Sequence, residues 1–284
     1  MKKISVLFFG GLGNQLFQLA LAKTLEFKYP NVKFDYIDLT RFEDIKRKWS
    51  LSELSIKRKK INKFSYLLLN IKRIINKKFP FIVIRILFFN VINESKYKYI
   101  NKQPEKCNNL VFDGYWQSEK YFLENKKYLI DQFLKPRINL INQYKASRTV
   151  ALHIRIGDYV HNKVSSQNHF VCDFNWYKKA INYLYEINNN FKFILYTDDY
   201  EYIKTNYIFD QKYQIIVPEV SDNDYINLMY MTYSDHFIIS NSSYSWWASY
   251  LGESSESITI APKYWYPNKL TSNIPIFRSN WILI

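Results

Sequence analysis

ISVLFFGGLGNQLFQLALAKTLEFKYPNVKFDYI, residues 4–37, is the stretch whose reading decides the fold. Ile4–Phe9 is an apolar run of strand length, suited to burial on both faces of a sheet. Gly10-Gly11-Leu12-Gly13 turns the chain. Asn14–Tyr29 then places Phe17, Ala20, Leu21, Thr24 and Leu25 at helical spacing, and Pro30 ends the helix. Val32–Ile37 reads as the next strand. Strand, turn, helix, strand is the opening of a Rossmann-like unit. Six glycines are sparse for 284 residues, so three within residues 10–13 carry weight.

Outward from there, Arg41 to about Lys106 reads as mostly helical, Leu110–Phe112 as a strand and Ser118–Leu134 as a helix ended near Pro136. From Thr149 the pattern becomes regular. Strands at Thr149–Ile154, Phe191–Tyr196, Tyr213–Val217, His236–Ile239 and Ile258–Ile260 alternate with helices at Phe174–Asn188, Tyr200–Thr205, Asp224–Tyr233 and Ser243–Leu251. Such alternation argues for a doubly wound parallel sheet. The expected fold is α/β, with two Rossmann-like domains over residues 1–140 and 141–284. Their boundary is expected near Lys135–Arg148, and a basic helical insertion at about 41–106.

Composition narrows the function. At 48% hydrophobic the chain can bury a core. Two cysteines, Cys107 and Cys172, are no disulfide framework and no metal-ligand pattern, which fits a reducing cytoplasmic setting. The first apolar run leads straight into the glycines, so it reads as a strand rather than an export signal. No stretch has the ~20 uncharged apolar residues of a membrane span. The net charge is +15, and residues 41–106 hold 18 lysines and arginines against 5 acids. No nucleic-acid motif accompanies that charge, so nucleic acid is not expected as a partner. Phe64–Ile92 interleaves apolar clusters with Lys72, Arg73, Lys77, Lys78 and Arg85. That pattern suits peripheral contact with an anionic membrane, here the inner face of the cytoplasmic membrane; a solvated basic helix face is the plainer alternative.

In open parallel sheets, ligands bind outside the carboxyl ends of the strands. The unusual residues lie there: His153 to Tyr159 after one strand, Thr197-Asp198-Asp199 after another, and Ser240 to Trp247 after a third. Arg155 next to a turn needs an anion, either Asp158 or a bound phosphate. Asn241, Ser242, Ser243 and Ser245 stand where a helix begins, and exceed what one cap needs, so they point to phosphate. Gly11-x-Gly13 before a helix resembles part of a dinucleotide fingerprint, with Asp35 or Asp38 as the ribose acid, but its third glycine is missing. Asp222-Asn223-Asp224 precedes a helix and reads as a cap rather than a metal pair.

These segments together resemble bacterial α-1,2-fucosyltransferases, glycosyltransferase family 11. GGLGNQLFQ (10–18), GYWQSEKYF (114–122), HIRIGDY (153–159), YTDD (196–199) and SNSSYSWWASYL (240–251) match its blocks in order. The resemblance implies a GT-B-like fold and inverting, metal-free transfer of L-fucose from GDP-β-L-fucose to the 2-hydroxyl of a galactoside. No cofactor is implied. The acceptor would be a galactose-containing glycan, lipid-linked, in surface polysaccharide (O-antigen) synthesis. By similarity Arg155 contacts the β-phosphate and stabilises the leaving GDP. His153, Asp198 and Asp199 help hold the nucleotide; Asn241, Ser242, Ser243 and Ser245 line the phosphates. Gly11, Gly13 and Asn14 belong to the donor site, and Asp113, Trp116 and Gln117 to the acceptor side. Asp158, Asp113 and His153 are the candidate bases. The family's H-x-R-R-x-D block has Ile156 in place of its second arginine, which leaves the leaving-group role to Arg155. A nicotinamide oxidoreductase and a non-catalytic nucleotide-sugar or glycan-binding protein are the alternatives.

Overall fold

The computed structural model describes residues 3–42, 47–78, 90–94, 109–134, 148–163, 166–167, 171–267 and 275–284. The chain divides into two compact units, Met1–Gln132 and Phe133–Ile284. The linker expected at 135–148 lies outside the described residues, apart from Arg148, as do Cys107 and the 79–89 part of the basic apolar stretch.

The first unit is built on a five-stranded parallel sheet: β1 (Lys3–Phe8), β2 (Lys33–Asp38), β3 (Lys59–Lys60), β4 (Asn90–Asn93) and β5 (Asn109–Asp113), in the order β3-β2-β1-β5-β4. Helix α1 (Leu12–Lys28) follows β1, with twelve of its seventeen residues buried. Leu7, Leu39 and Val111 form a core patch that receives Phe42, Tyr66 and Leu69. Tyr66 and Leu69 come from α2 (Lys63–Lys78). The expected helical insertion at 41–106 is therefore corrected. That stretch carries α2, but it also supplies both edge strands of the sheet. Strand β3 is a Lys-Lys pair exposed on both sides, and an edge strand needs no apolar alternation. The expected Ser118–Leu134 helix is two 3-10 turns, Glu119–Tyr121 and Leu123–Asn125, before α3 (Lys126–Leu134). Ser118 caps its own short turn by accepting from Lys120 N.

The second unit holds six parallel strands: β6 (Thr149–Ile154), β7 (Lys192–Thr197), β8 (Gln214–Ile216), β9 (His236–Ile238), β10 (Thr259–Ala261) and β11 (Ile282–Leu283). Their order is β11-β10-β9-β6-β7-β8. The sixth strand, β11, is two residues long, too short for a periodic signal. The connecting helices are α4 (Gly157–His161), α5 (Phe174–Ile187), α6 (Tyr200–Asn206), α7 (Asp224–Met231) and α8 (Ser243–Gly252). All six residues of β6 are buried. Val150, Leu152 and Ile154 pack with Phe193 and Leu195 of β7 and with Tyr177, Ala180, Ile181 and Leu184 of α5. Both sheets reverse direction of winding beside their first strand, between β1 and β5 and between β6 and β9. Such reversals open a crevice at the carboxyl ends of the strands.

Candidate functional site

In the second unit the crevice opens where β6 and β9 end. His153 is 4% exposed, and its Nδ1 lies 2.9 Å from Ser240 Oγ, joining the two strands across the reversal. Burial, helped by the charge of Arg155, pushes the imidazole down to about 3. The ring is therefore neutral near pH 7 and too weak a base to take a proton from a hydroxyl. The neutral ring serves as a strut between β6 and the turn after β9.

Arg155 follows directly after β6. Its guanidinium is gripped by Asp158 from α4 and by Asp198 Oδ2 at 2.8 Å. The Tyr159 ring lies 5.4 Å away. Burial alone lowers the guanidinium's pKa, but Asp198 and Asp158 outweigh it and the net direction is upward. The group is a fixed cation, about a quarter exposed. Both answers to what partners Arg155 within the chain are carboxylates, so a phosphate would meet an already oriented fork of donors. Asp198 Oδ1 also accepts from Ile156 N at 2.8 Å. A Cβ at Gly157 would lie 2.2 Å from Asp198 Oδ2, so this close approach requires glycine. Ile156 itself is fully buried in the α5–β7 core, on the far side from the crevice.

The other donor-side residues divide by their bonds. Asp199 caps α6, accepting from Tyr202 N at 2.9 Å, and meets His161 Nε2 at 2.7 Å. The Tyr202 N–H, then His161, hold its carboxyl below the usual range. Asn241 is buried; its Nδ2 donates to Trp265 O at 3.0 Å, and its carbonyl accepts from Tyr159 OH. Ser242 caps α8 by accepting from Tyr244 N, and Ser245, fully buried, donates to Ser242 O. Three of the four polar residues expected to line phosphates are thus spent on the turn and the helix start. Ser243, half-buried in the first turn, makes no side-chain hydrogen bond among the described residues. It and the leading N–H groups of α8 are what remains for an anion. Asn223 caps α7, accepting from Tyr225 N at 2.9 Å, as the capping reading of residues 222–224 expects.

The first unit has its own polar edge. Gly10 takes φ +79, and a Cβ there would lie 2.6 Å from Asn14 Nδ2. Gly11 stands at the start of α1, with open space where its Cβ would be, and Gly13 is buried in the first turn. Asn14 Oδ1 accepts from Gln117 Nε2 at 2.7 Å. Two glutamines that the sequence reading left without a role complete the turn. Gln15 donates to Gly10 O and Lys48 O and accepts from Ser50 N. Gln18 accepts from Phe9 N at 3.2 Å and donates to Gly114 O at 3.1 Å, so it spans the β1–β5 crevice.

Two expected acceptor residues prove structural. Asp113 is paired bidentately with Arg73 of α2, at 2.8 and 2.9 Å, and is buried. Trp116 is 1% exposed, with its ring against Phe112 and Tyr121, and offers no surface to a sugar. It also holds φ +61, a costly conformation for a bulky residue. Glu94, which no sequence signal marks, enforces it. Its carboxylate accepts from Tyr115 N at 2.6 Å and Gln117 N at 2.9 Å. Burial raises the Glu94 carboxyl, against the pull of the three N–H groups of residues 115–117. Gly114 is obligatory beside it, since a Cβ would lie 2.3 Å from Glu94 Cβ.

The ribose acid of a dinucleotide site is not on offer. Asp35 pairs with Lys3 and Lys59, and Asp38 with Arg58 and Thr40. Among the described residues no group of three His, Cys, Asp or Glu could hold a metal ion.

Comparison with known proteins agrees with the order of the motifs. The family model described as Glycosyl transferase family 11 matches residues 3–284. An Escherichia coli protein named alpha-1,2-colitosyltransferase is 31% identical, over 97% of this chain and 96% of its own length. The E. coli O-antigen biosynthesis glycosyltransferase WbnK is 26% identical, over 96% and 97%. Among solved structures, E. coli heptosyltransferase WaaC with ADP gives a TM-score of 0.47 at 11% identity, over 99% of this chain and 92% of that one.

Proposed function

Since this chain belongs to glycosyl transferase family 11, and is a glycosyltransferase of two parallel α/β units, the GT-B make-up, we propose that it transfers L-fucose from GDP-β-L-fucose to the 2-hydroxyl of a galactoside. The observation that carries the reading is Arg155, a fixed cation just after β6, held by Asp198 and lying over the ring of Tyr159, whose hydroxyl donates to Asn241 O ahead of α8. Rupture of the sugar–phosphate bond adds negative charge to the departing GDP. Arg155, Ser243 and the first N–H groups of α8 neutralise it without a metal. In an inverting displacement the acceptor hydroxyl arrives opposite the leaving phosphate. Asp158 holds the guanidinium that serves the phosphate, so it orients Arg155 rather than acting as base. Asp198 orients Arg155 from the other side. The name of one relative supports a place in O-antigen assembly, and the proposed acceptor there is a galactose-containing, lipid-linked glycan.

A second donor is favoured by one finding, the relative named for colitose. Colitose is L-fucose without its 3-hydroxyl. A site that hydrogen-bonds that hydroxyl rejects the deoxy sugar strongly, whereas a pocket that leaves it in water does not. Transfer assays with GDP-fucose and its 3-deoxy counterpart, on a galactoside with and without EDTA, decide the donor and the metal question. Arg155→Ala is expected to lower kcat at least about a hundredfold, with Arg155→Lys intermediate and the melting temperature retained. A variant keeping more than half of the transfer rate sinks the role of Arg155.

A further inference from the structure

Helix α2 has two faces that do different things. Taking about 100° per residue, Tyr66, Leu69, Asn70 and Arg73 share one face. Tyr66 and Leu69 pack on the sheet, and Arg73 pairs with Asp113. On the opposite side Phe64, Leu67, Leu68, Ile71 and Ile74 fall within an arc of about 120°. They are 68%, 55%, 44%, 44% and 48% exposed. Single exposed apolar residues are ordinary, but five on one side of one helix form a patch that marks a binding surface.

The borders of the patch say what covers it. Lys63 lies on one side of the arc and Lys72 on the other. An apolar strip with lysines along both borders matches the boundary of an anionic bilayer, with the strip in the acyl region and the ammonium groups at headgroup phosphates. Two copies packed strip to strip would bring lysine borders against lysine borders, a like-charge cost. The surrounding excess of 18 basic over 5 acidic residues in 41–106 adds long-range attraction to the same surface.

We propose that α2 is the membrane-docking element of this protein, and that its outward face, Phe64 to Ile74, lies in the interface of an anionic bilayer. The docking face is independent of which sugar is transferred. It puts the enzyme where an acceptor carried on a lipid would be found.

The test is flotation of the full chain with vesicles of equal parts phosphatidylcholine and phosphatidylglycerol, and with phosphatidylcholine alone. Wild type floats with the anionic vesicles and falls off with added salt. Leu67→Ser/Leu68→Ser/Ile71→Ser weakens partition at least about tenfold, and Lys63→Glu/Lys72→Glu weakens it on the anionic vesicles. All five residues changed are outside the core, and the thermal shift produced by GDP serves as the check that each variant is folded. Wild type that stays at the bottom of the gradient overturns the proposal. So does equal flotation of the folded serine variant. So does a concentration-dependent dimer that the serine changes abolish, since the face would then join two copies.

Discussion

At His153, burial and the neighbouring charge of Arg155 act in the same direction, and both keep the imidazole neutral. The pH consequence has a definite sign. The unfolded chain takes up a proton at this ring below about 6.5, whereas the folded chain waits until about 3. Stability is therefore complete above 6.5 and is lost as pH falls between those values, by up to about 1.4 kcal/mol per pH unit. His153→Gln can keep a bond to Ser240 but has no proton to gain. Melting curves from pH 7 to pH 4 should show a shallower acid decline for the variant; equal slopes would place the acid sensitivity elsewhere. The residue scale is also where sequence reading stops. Arg155, Asp158 and Asp198 are visible because charged residues at strand ends are rare. Gln18 and Glu94 are not, because an amide or carboxylate acquires its meaning only when tertiary structure brings Phe9 and Gly114, or the N–H groups of residues 115 and 117, within reach.

The start of α8 shows how one element divides its labour. Ser242 holds the helix, while Ser243 makes no side-chain hydrogen bond among the described residues, although the two are adjacent and chemically identical. Ser242→Ala should cost about 1 kcal/mol of stability through the lost cap, with donor affinity following only as the fold loosens. Ser243→Ala should leave the melting temperature within a degree or so and weaken donor binding several-fold by calorimetry. If the two variants behave alike, the division is wrong. Element type was legible wherever apolar residues recur with a clear period, as in α1, α5 and the six buried residues of β6. It was not legible at β3, β4 and β11. These edge strands of two to four residues are held by neighbours rather than by their own pattern.

Each unit carries its own sheet and its own buried cluster. Two cores in one chain need not melt together. Under the proposed function the nucleotide binds mainly the second unit, so GDP should protect amides of β6, β7 and β9 from hydrogen exchange more than those of β1 and β2. Uniform protection across both sheets would show that the nucleotide's hold is shared. The winding of the second sheet has a further consequence, for the time before the molecule exists as a whole. Strand β6 ends in the middle of its sheet, between β7 and β9. During synthesis β7 arrives first, and β9 follows β6 by about eighty residues. At ribosomal speed β6 then waits on the order of ten seconds with one edge unpaired. That edge is the seam at which the winding of the sheet reverses. A nascent chain is open to pairing with its neighbours on a polysome for as long as that edge is bare, and under the proposed function the bare edge is the place where the donor will later bind.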